Sequence, residues 1–312
     1  MTDVSVSVVN TNNRDLLLAC LESVQRSLTP DVGVEVVVLD NASADGSADA
    51  VRKRFPDVRL IAQEFRAGFG ANHNTVIRAT AGRYVYVLNE DTTSEDWGFA
   101  RLVSEMDAHP RLAALGPQLV YPDGRRQHSA WRFPTPWASL LGLPTLGKVG
   151  IVQSHGDRPR SVEWVMGAAL LLRRDALAGV GLFDEEFFIY FEEVDLCLRL
   201  RRAGWEVLYF PGLAVVHHES QFSADIPERR INEMWRGRHR YWQKHHSAAG
   251  ARIAALATGT QYLGAAAVGM IGRNAAYRAQ MRLHARNAWR VDGPGLSELA
   301  EEWNRHLGTA IT

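Results

Sequence analysis

The sequence predicts an α/β protein built on a doubly wound, mostly parallel β-sheet. Short β-branched runs alternate with helical stretches through residue 88, the order expected of right-handed βαβ crossovers. Residues 34–39 are apolar at nearly every position, as a parallel strand buried on both faces should be. Polar residues directly follow three of the strands, at the sheet edge where such folds bind ligands.

The predicted elements follow one another in a regular order. Residues 4–8 alternate valine with serine, the period-two pattern of a strand, and residues 15–27 present one apolar helical face. Residues 116–159 are rich in Pro, Gly and Trp and are expected to form loops. The remaining predictions are strands at 34–39, 58–62 and 84–88, helices at 45–55 and 71–81, a strand over 162–172 interrupted by Gly167, a helix over 187–203, and strands over 206–217 broken at Pro211-Gly212.

Composition limits the class of protein. A chain of 312 residues allows two domains, and 46% hydrophobic with 22% charged residues excludes wholesale disorder. The 35 basic residues balance the 35 acidic ones, so we expect no nucleic-acid partner attracted by net charge. Cys20 and Cys197 cannot form a disulfide framework, and the first strand begins too close to Met1 for a signal peptide. These features predict a cytoplasmic location.

The balanced charge hides an asymmetry along the chain. Residues 228–312 contain 13 Lys and Arg against 6 Asp and Glu, a net charge of +7, which leaves −7 for the remainder. The alternation of strands and helices also stops near Pro227. We therefore predict an α/β domain over residues 1–225, with halves at 1–115 and 116–225, followed by a basic helical region over 226–312.

Polar residues at the strand ends are candidates for ligand binding. Asp40 follows a buried strand and could hydrogen-bond a base or ribose, although an Asx turn explains it equally well. Asn89-Glu90-Asp91 offers the oxygen ligands that Mg²⁺ and Mn²⁺ accept, and a cation there would neutralise a diphosphate leaving group. The alternative is that Asp91 caps a helix beginning near Ser94. Either His217 or His218 could complete the metal shell, since adjacent strand residues point to opposite faces.

A third group of candidates lies on the predicted helix 187–203. Asp195 can pair with Arg199 at i+4, which gives it a structural role. Glu193 points about 100° away from Glu192 and has no basic residue three or four positions later. Its aromatic and aliphatic neighbours would raise its pKa and suit it to act as a general base. The alternative is a pair of solvated helix carboxylates.

Taken in order, these segments resemble the family-2 glycosyltransferases of the GT-A fold, and among them the bacterial rhamnosyltransferase-like branch that works on cell-surface glycans. The resemblance covers roughly residues 4–223. It rests on Val-Val-Asn-Thr-Asn-Asn-Arg at residues 8–14, residues 37–47, 68–74, 88–91 and 164–168, the helix segment 191–199, and His217.

The resemblance implies an inverting transfer of a sugar, for instance rhamnose, from a nucleoside-diphosphate sugar to a hydroxyl group of a glycan or lipid-linked acceptor. Residues 1–115 would bind the donor and residues 116–225 the acceptor. Asp91 and His217 would hold Mg²⁺ or Mn²⁺, and Glu193, or else Glu192, would be the catalytic base. The implied nucleotide-sugar contacts are Thr11, Asn13, Arg14, Asp40, Asn41, Arg66, Gly68, Asn74, Asn89 and Glu90, and the implied acceptor or sugar contacts are Trp164, Met166, Gly167 and Asp195.

Two positions depart from the family pattern, and two other functions stay open. Arg66 stands where asparagine is usual, and Glu193 stands where aspartate is usual. A sugar nucleotidyltransferase would need a Gly-rich basic loop after the first strand, whereas residues 10–14 contain no glycine. The imperfect Asn-Glu-Asp triplet also allows a non-catalytic module that binds glycans or nucleotides.

The basic region has the composition of a membrane-surface segment. Residues 254–272 are apolar but too rich in Ala and Gly to span a bilayer, so we predict peripheral contact with the inner face of the cell membrane. The alternative is an appendage that packs on the α/β domain or on a second subunit of a homo-oligomer. The residues concerned are Trp235, Tyr241 and Trp242 among Arg236, Arg238, Arg240 and Lys244, and a stripe of Arg273, Arg278, Arg282, Arg286 and Arg290.

Overall fold

The computed structural model describes residues 2–145, 151–219, 226–268 and 275–310. The domain boundary predicted near residue 225 lies outside the described residues, as does Arg273 of the predicted arginine stripe. The division into domains therefore stays a prediction.

The first part of the chain forms a parallel sheet flanked by helices. Its elements are β1 (Val4–Asn10), α1 (Arg14–Arg26), β2 (Val34–Asp40), α2 (Ser47–Arg54), β3 (Arg59–Ala62), α3 (Phe69–Ala79) and β4 (Tyr84–Asn89). Strand β1 lies between β2 and β4, parallel to both, and β2 pairs in parallel with β3. Each of these elements was predicted close to its observed bounds. The parallel register brings the ends of β1, β2 and β4 to one edge of the sheet.

The second part extends the same sheet with strands of mixed direction. Strand β10 is antiparallel to both of its neighbours, β4 and β6, whereas β11 is parallel to β6. The strand order is β3-β2-β1-β4-β10-β6-β11-β5, with β8 paired to β11. The predicted mostly parallel sheet is thus confirmed. The elements of this part are β5 (Thr92–Thr93), α4 (Phe99–Ala108), β6 (Leu112–Val120), β7 (Ala130–Trp131), α5 (Pro136–Leu141), β8 (Arg160–Ser161), β9 (Trp164–Val165), β10 (Ala169–Arg173), α6 (Arg174–Val180), α7 (Glu192–Arg202) and β11 (Glu206–His217).

Several predictions in this part were wrong in their details. The strand predicted over 162–172 is two strands, because β9 pairs with β7 in a separate small sheet while β10 joins the main one. Residues 206–217 form one strand, and the predicted break at Pro211-Gly212 is a bulge opposite β6. No helix begins near Ser94: Asp91 precedes the short strand β5, so it does not cap a helix.

The start of α7 was also predicted wrongly, with consequences for the site. The helix begins at Glu192 rather than at residue 187, because Tyr190 and Phe191 have φ angles of 71° and 76°, outside the right-handed helical region. Glu192 and Glu193 are therefore the first two residues of the helix, and the segment before them is a loop of turns and bends.

The last part of the chain is helical, as predicted. It consists of α8 (Pro227–His245), α9 (Ala248–Val268), α10 (Ala275–Trp289) and α11 (Leu296–Ala310). The prediction that Trp235, Tyr241 and Trp242 face lipid headgroups is wrong, because all three are fully buried in a core shared with α7 and β10. They join α8 to the α/β domain, and Trp242 Nε1 donates a hydrogen bond to the carbonyl of Pro134 at 2.6 Å.

Among the residues that the structure describes, no helix combines the length and the apolar character needed to cross a bilayer.

Candidate functional site

A cavity of about 1100 Å³ opens at the carboxyl ends of β1, β2 and β4, where the strand-end rule places ligands. The helices α8, α9 and α10 form its opposite wall. Most of the predicted site residues line the cavity: Thr11, Asn13, Asn41, Arg66, Asn89, Glu90, Asp91, Trp164, Met166, Gly167, Glu192, Glu193 and His217. The wall formed by the loops after β1 to β4 is called the strand-end side below, and the wall formed by α8 to α10 is called the helical side.

Asn41 holds the loops of the strand-end side together. Its amide nitrogen donates to Thr11 Oγ1 at 3.1 Å and to the carbonyl of Ala67 at 3.2 Å, and its oxygen accepts from the Ala67 amide at 2.8 Å. The loops after β1, β2 and β3 are thus fixed relative to one another before any ligand binds.

Asp40 is buried behind this wall and does not line the cavity. Its carboxylate accepts hydrogen bonds from Asn10 Nδ2 at 3.0 Å and from the Ser43 amide at 3.0 Å. The turn interpretation of Asp40 is therefore realised in the structure, and its contact with a base or ribose stays a prediction.

Asp91 and His217 meet at one corner of the cavity. His217 Nε2 lies 3.5 Å from Asp91 Oδ1, and both side chains are nearly inaccessible. His217 lines the cavity, and His218 is not among the residues that line it. Which of the two completes a metal shell stays a prediction, and the position of His217 favours His217.

The tautomer of His217 follows from its other neighbour, Gln127. The Gln127 amide nitrogen donates to Glu219 Oε2 at 2.9 Å, so its oxygen faces His217 Nδ1, also at 2.9 Å. An amide oxygen can only accept, which places the proton on Nδ1 and leaves the lone pair of Nε2 directed towards Asp91. Burial lowers the pKa of His217 despite the nearby Asp91 charge, so the ring stays neutral.

The other two members of the Asn-Glu-Asp triplet have partners of their own. Asn13 donates a hydrogen bond to Glu90 Oε1 at 2.7 Å, and Asn89 Nδ2 lies 3.4 Å from His217 Nε2. Burial and the charge of Asp91 raise the pKa of Glu90 to about 8. Within the described ranges, no three His, Cys, Asp or Glu side chains converge as a metal site. Among these residue types, Asp91 and His217 are thus the pair that the corner offers.

Glu192 and Glu193 enter the cavity from the first turn of α7. Burial raises the pKa of Glu193 to about 7, although the backbone amide of Gly167 is among the groups that hydrogen-bond its carboxylate. Burial and the neighbouring Glu193 charge raise the pKa of Glu192 well above its usual range. Each carboxyl has one buried oxygen without a hydrogen-bond partner among the described residues. The raised pKa favours the protonated form of Glu192, and Glu193 can accept or release a proton near neutral pH.

Two indole rings form part of the wall near Glu193. Trp131 and Trp164 stack with ring centroids 4.6 Å apart and an interplanar angle of 24°, and Trp164 Nε1 donates to the carbonyl of Arg132 at 3.0 Å. Met166 and Gly167 continue this wall. The rings present a rigid apolar surface of fixed orientation to whatever occupies the cavity.

Besides Asp40, three predicted nucleotide-sugar contacts do not reach the cavity. Arg14 is half-exposed and bonds Asp15. Asn74 is buried, where it binds both backbone groups of Phe183. Gly68 caps α3, and a Cβ atom there would lie 2.4 Å from the carbonyl oxygen of Phe188. Each is explained by packing, and contact with a substrate stays a prediction.

Asp195, a predicted acceptor or sugar contact, also lies outside the cavity. Its carboxylate contacts Arg199 Nε at 2.8 Å, Lys244 Nζ at 2.8 Å and His245 Nε2 at 2.6 Å. Although burial opposes the shift, these hydrogen bonds lower the pKa of Asp195 to about 2. The expected pair with Arg199 is present, and Asp195 fastens α8 to α7.

Sequence reasoning missed the helical side of the cavity entirely. Two or three of these residues lie on each of α8, α9 and α10, at the ordinary spacing of a helix face, so no local motif marks them, and the only hint was an arginine among aromatic residues on α8. The residues missed are Met234, Arg238, Thr258, Gln261, Tyr262, Tyr277 and Met281, together with Trp137 and Leu141 at α5.

Comparison with known proteins was consistent across sequence and structure. The model of glycosyl transferase family 2 matches residues 5–163. An N-acetylglucosaminyl-diphospho-decaprenol L-rhamnosyltransferase of Mycobacterium tuberculosis is 32% identical over 236 residues, which cover 66% of this chain and 73% of that protein. Rhamnosyltransferase WbbL of Escherichia coli K12 is 39% identical over 162 residues, covering 48% and 61%.

Among solved structures, the mannosyltransferase PcManGT of Pyrobaculum calidifontis, in complex with GDP-Man and Mn²⁺, aligns with a TM-score of 0.56. The alignment covers 99% of this chain and 84% of that chain, at 18% sequence identity. At this identity the likeness shows a common GT-A fold.

Proposed function

This chain belongs to glycosyl transferase family 2, and from that premise we propose that it moves a rhamnose-type sugar from a nucleoside diphosphate to a hydroxyl group of a lipid-linked glycan. The observation that carries the proposal is that Asp91 and Glu193 line one cavity. A place for the departing diphosphate and a base for the incoming hydroxyl are thereby available in the same space. Family membership favours sugar transfer over the nucleotidyltransferase and the non-catalytic module.

The corner of Asp91 and His217 fits a divalent cation. Asp91 Oδ1 is buried and accepts no hydrogen bond from the described residues, and the neutral His217 directs a lone pair to the same place. Bound Mg²⁺ or Mn²⁺ would supply a Lewis acid for the negative charge that develops on the departing diphosphate. With two protein ligands, the remaining positions would be left for oxygen atoms of the donor and water.

Glu193 supplies the proton acceptor in this mechanism. It takes the proton of the acceptor hydroxyl, whose oxygen forms a bond to the anomeric carbon of the donor sugar. The bond from that carbon to the diphosphate oxygen breaks, and its electron pair leaves with the nucleoside diphosphate. Because the attack comes from the face opposite the leaving group, a single displacement inverts the configuration.

Membrane contact remains part of the proposal, but through a surface of α5 and α9 instead of the aromatic residues predicted on α8. Helix α5 packs along α9, and both expose large apolar side chains. Trp137 is 74% and Leu141 is 78% exposed, and both also line the cavity. Leu256 and Val268 are further exposed apolar residues of α9. With the +7 charge of the C-terminal region, this face suits an anionic bilayer.

Vesicle co-sedimentation tests this surface. We expect the protein to be recovered with phosphatidylglycerol-containing vesicles more than with phosphatidylcholine vesicles, and the double variant Trp137→Ser/Leu141→Ser to lose that recovery. Leu28→Ser, which alters an exposed leucine beyond the end of α1, is the matched control and should behave as wild type. Equal recovery with both kinds of vesicle, or an unaffected double variant, would contradict membrane contact at this face.

Transfer itself is tested with UDP-, dTDP- and GDP-sugars and a short-chain lipid diphosphate sugar as acceptor. We expect one donor to yield a glycosylated acceptor of inverted anomeric configuration, with loss of product when EDTA is added and in Asp91→Asn. A thermal shift with a donor but no product from any donor would favour the binding module. Release of pyrophosphate from a nucleoside triphosphate and a sugar 1-phosphate would favour the nucleotidyltransferase.

A further inference from the structure

The helical side of the cavity contains one arginine with unusual surroundings. Arg238 extends from α8 into the cavity, and its guanidinium carbon lies 5.2 Å from the ring centroid of Trp235 and 5.2 Å from that of Trp242. The ring of Phe191 is 6.0 Å away on a third side. The Arg238 Nε atom is buried without a hydrogen-bond partner among the described residues. A cation thus lies among three aromatic rings and lines the cavity.

The charge of Arg238 is not balanced by a carboxylate. Over the described ranges it forms no ion pair, and its guanidinium hydrogen-bonds the side chain of Tyr262. Its neighbours on α8 differ: Arg236 pairs with Glu298 at 2.6 Å, and Arg240 pairs with Glu186. Burial accordingly lowers the pKa of Arg238. Because an uncompensated cation in an apolar enclosure is costly, an anionic ligand there would recover part of the lost solvation.

Arg238 lies on the helical side of the cavity, next to the segment that precedes Glu193. The Phe191 ring that it contacts belongs to the residue two positions before Glu193. The other residues around it come from the C-terminal helices, among them Met234 and Tyr262. The corner of Asp91 and His217, which suits the donor diphosphate, lies instead at the ends of β4 and β11. The cavity therefore has two places suited to a negatively charged group: the Arg238 guanidinium on the helical side, and a cation bound at the corner of Asp91 and His217.

We propose that Arg238 binds a phosphate group of the acceptor, so that this enzyme recognises its acceptor as a lipid phosphate or diphosphate and not by the sugar alone. The proposal rests on the proposed function, because it requires that an acceptor enters the cavity. The aromatic walls would exclude water from the ion pair, and bidentate contacts of the guanidinium with phosphate oxygens would fix the sugar hydroxyl relative to Glu193.

The test is direct binding of farnesyl diphosphate, measured by calorimetry while the donor corner is saturated with Mn²⁺ and the preferred nucleoside diphosphate. We expect wild type to bind farnesyl diphosphate better than farnesol, and Arg238→Gln to weaken farnesyl diphosphate binding about 10- to 100-fold. Arg238→Lys, which retains the charge but not the planar fork, should fall between them. Arg240→Gln removes an arginine that is already paired on the same helix and should bind as wild type.

Three results would overturn the proposal that Arg238 binds a phosphate of the acceptor. Equal binding of farnesyl diphosphate by wild type and Arg238→Gln would overturn the proposal, as would absence of binding by wild type. A weakened affinity for the nucleoside diphosphate in Arg238→Gln would overturn it too, by assigning the arginine to the donor. Since removal of an uncompensated cation should not unfold the protein, the melting temperature of Arg238→Gln serves as the folding control.

The phosphate site and the proposed sugar transfer can be refuted independently of each other. Transfer with an unaffected Arg238→Gln would leave the glycosyltransferase assignment intact and remove the phosphate site. Farnesyl diphosphate binding that depends on Arg238, without transfer from any donor, would retain the phosphate site and remove the proposed reaction.

Discussion

Glu193 and Glu192 are adjacent carboxyls in one cavity, and we expect the same substitution to lower the rate far more at Glu193 than at Glu192. Glu193→Gln keeps the shape of the side chain but removes its ability to accept a proton. General-base assistance contributes about 10²–10⁴-fold to a rate, so we expect kcat to fall by that factor. Donor binding should be unchanged, because the strand-end side is held together by Asn41 and Thr11.

Glu192→Gln should have a much smaller effect. Burial and the neighbouring charge raise the pKa of Glu192 well above its usual range, which favours the protonated form of this side chain. Glutamine then imitates the neutral form that is already present, and we expect less than about a tenfold loss of rate. This pair of variants distinguishes the two candidates for the base, which the sequence could not separate.

The pH profile gives a second, independent measurement. A base whose pKa is raised to about 7 is increasingly protonated as the pH falls, so kcat/KM should decline below pH 7 in wild type and in Glu192→Gln. Initial rates with saturating Mn²⁺ and donor from about pH 5 to about pH 9 would test this. Wild-type turnover by Glu193→Gln, or a decline only near the ordinary carboxyl pKa of about 4.3, would refute the assignment.

Three further predictions concern stability and the positioning of side chains. Gln127→Leu leaves the Nδ1 proton of His217 without its acceptor, so Mn²⁺ titration of transfer should show metal affinity about 10- to 100-fold weaker. Gly68→Ala brings a Cβ atom within 2.4 Å of the Phe188 carbonyl oxygen and should cost about 1–3 kcal/mol in chemical denaturation, whereas Gly179→Ala, in α6 with open space around the new Cβ atom, should lack that cost. The raised pKa of Glu193 means that the folded chain keeps a proton which the unfolded chain releases, so wild type loses stability between about pH 4.5 and about pH 7. The melting temperature of Glu193→Gln should therefore rise relative to that of wild type as the pH increases across that interval. A difference in melting temperature that does not change with pH would contradict the raised pKa.

The α/β architecture and the strand-end side of the site could be predicted because their signals are local. Strands β1, β2 and β4 are β-branched runs with short-range periodicity, and the polar residues directly after them must lie at one edge of a parallel sheet. Asn41 and Asp91 were found in this way. Their positions depend on where a strand ends, and the chain marks that point by a change of residue type.

The start of α7 could not be predicted from such signals. Phe191, Val194 and Leu198 have helical spacing, and that spacing gives no reason for the helix to begin only after Phe191. The observed start depends on distant contacts. The Phe69 amide donates to the Phe188 carbonyl at 2.7 Å, and a Cβ atom at Gly237 would lie 2.4 Å from the Tyr190 carbonyl oxygen. These contacts hold the segment before α7 out of the helix.

Residue patterns were enough to recognise the fold class, the family and the carboxylates available for chemistry. Three features are visible only in the folded chain: Trp235 and Trp242 turn inwards, His217 faces Asp91, and Arg238 reaches the cavity. The physical reason is that an amphipathic basic helix has the same periodicity whether its apolar face meets lipid or protein. What that face meets depends on contacts between residues far apart in the chain, and the periodicity of a single helix does not indicate those contacts.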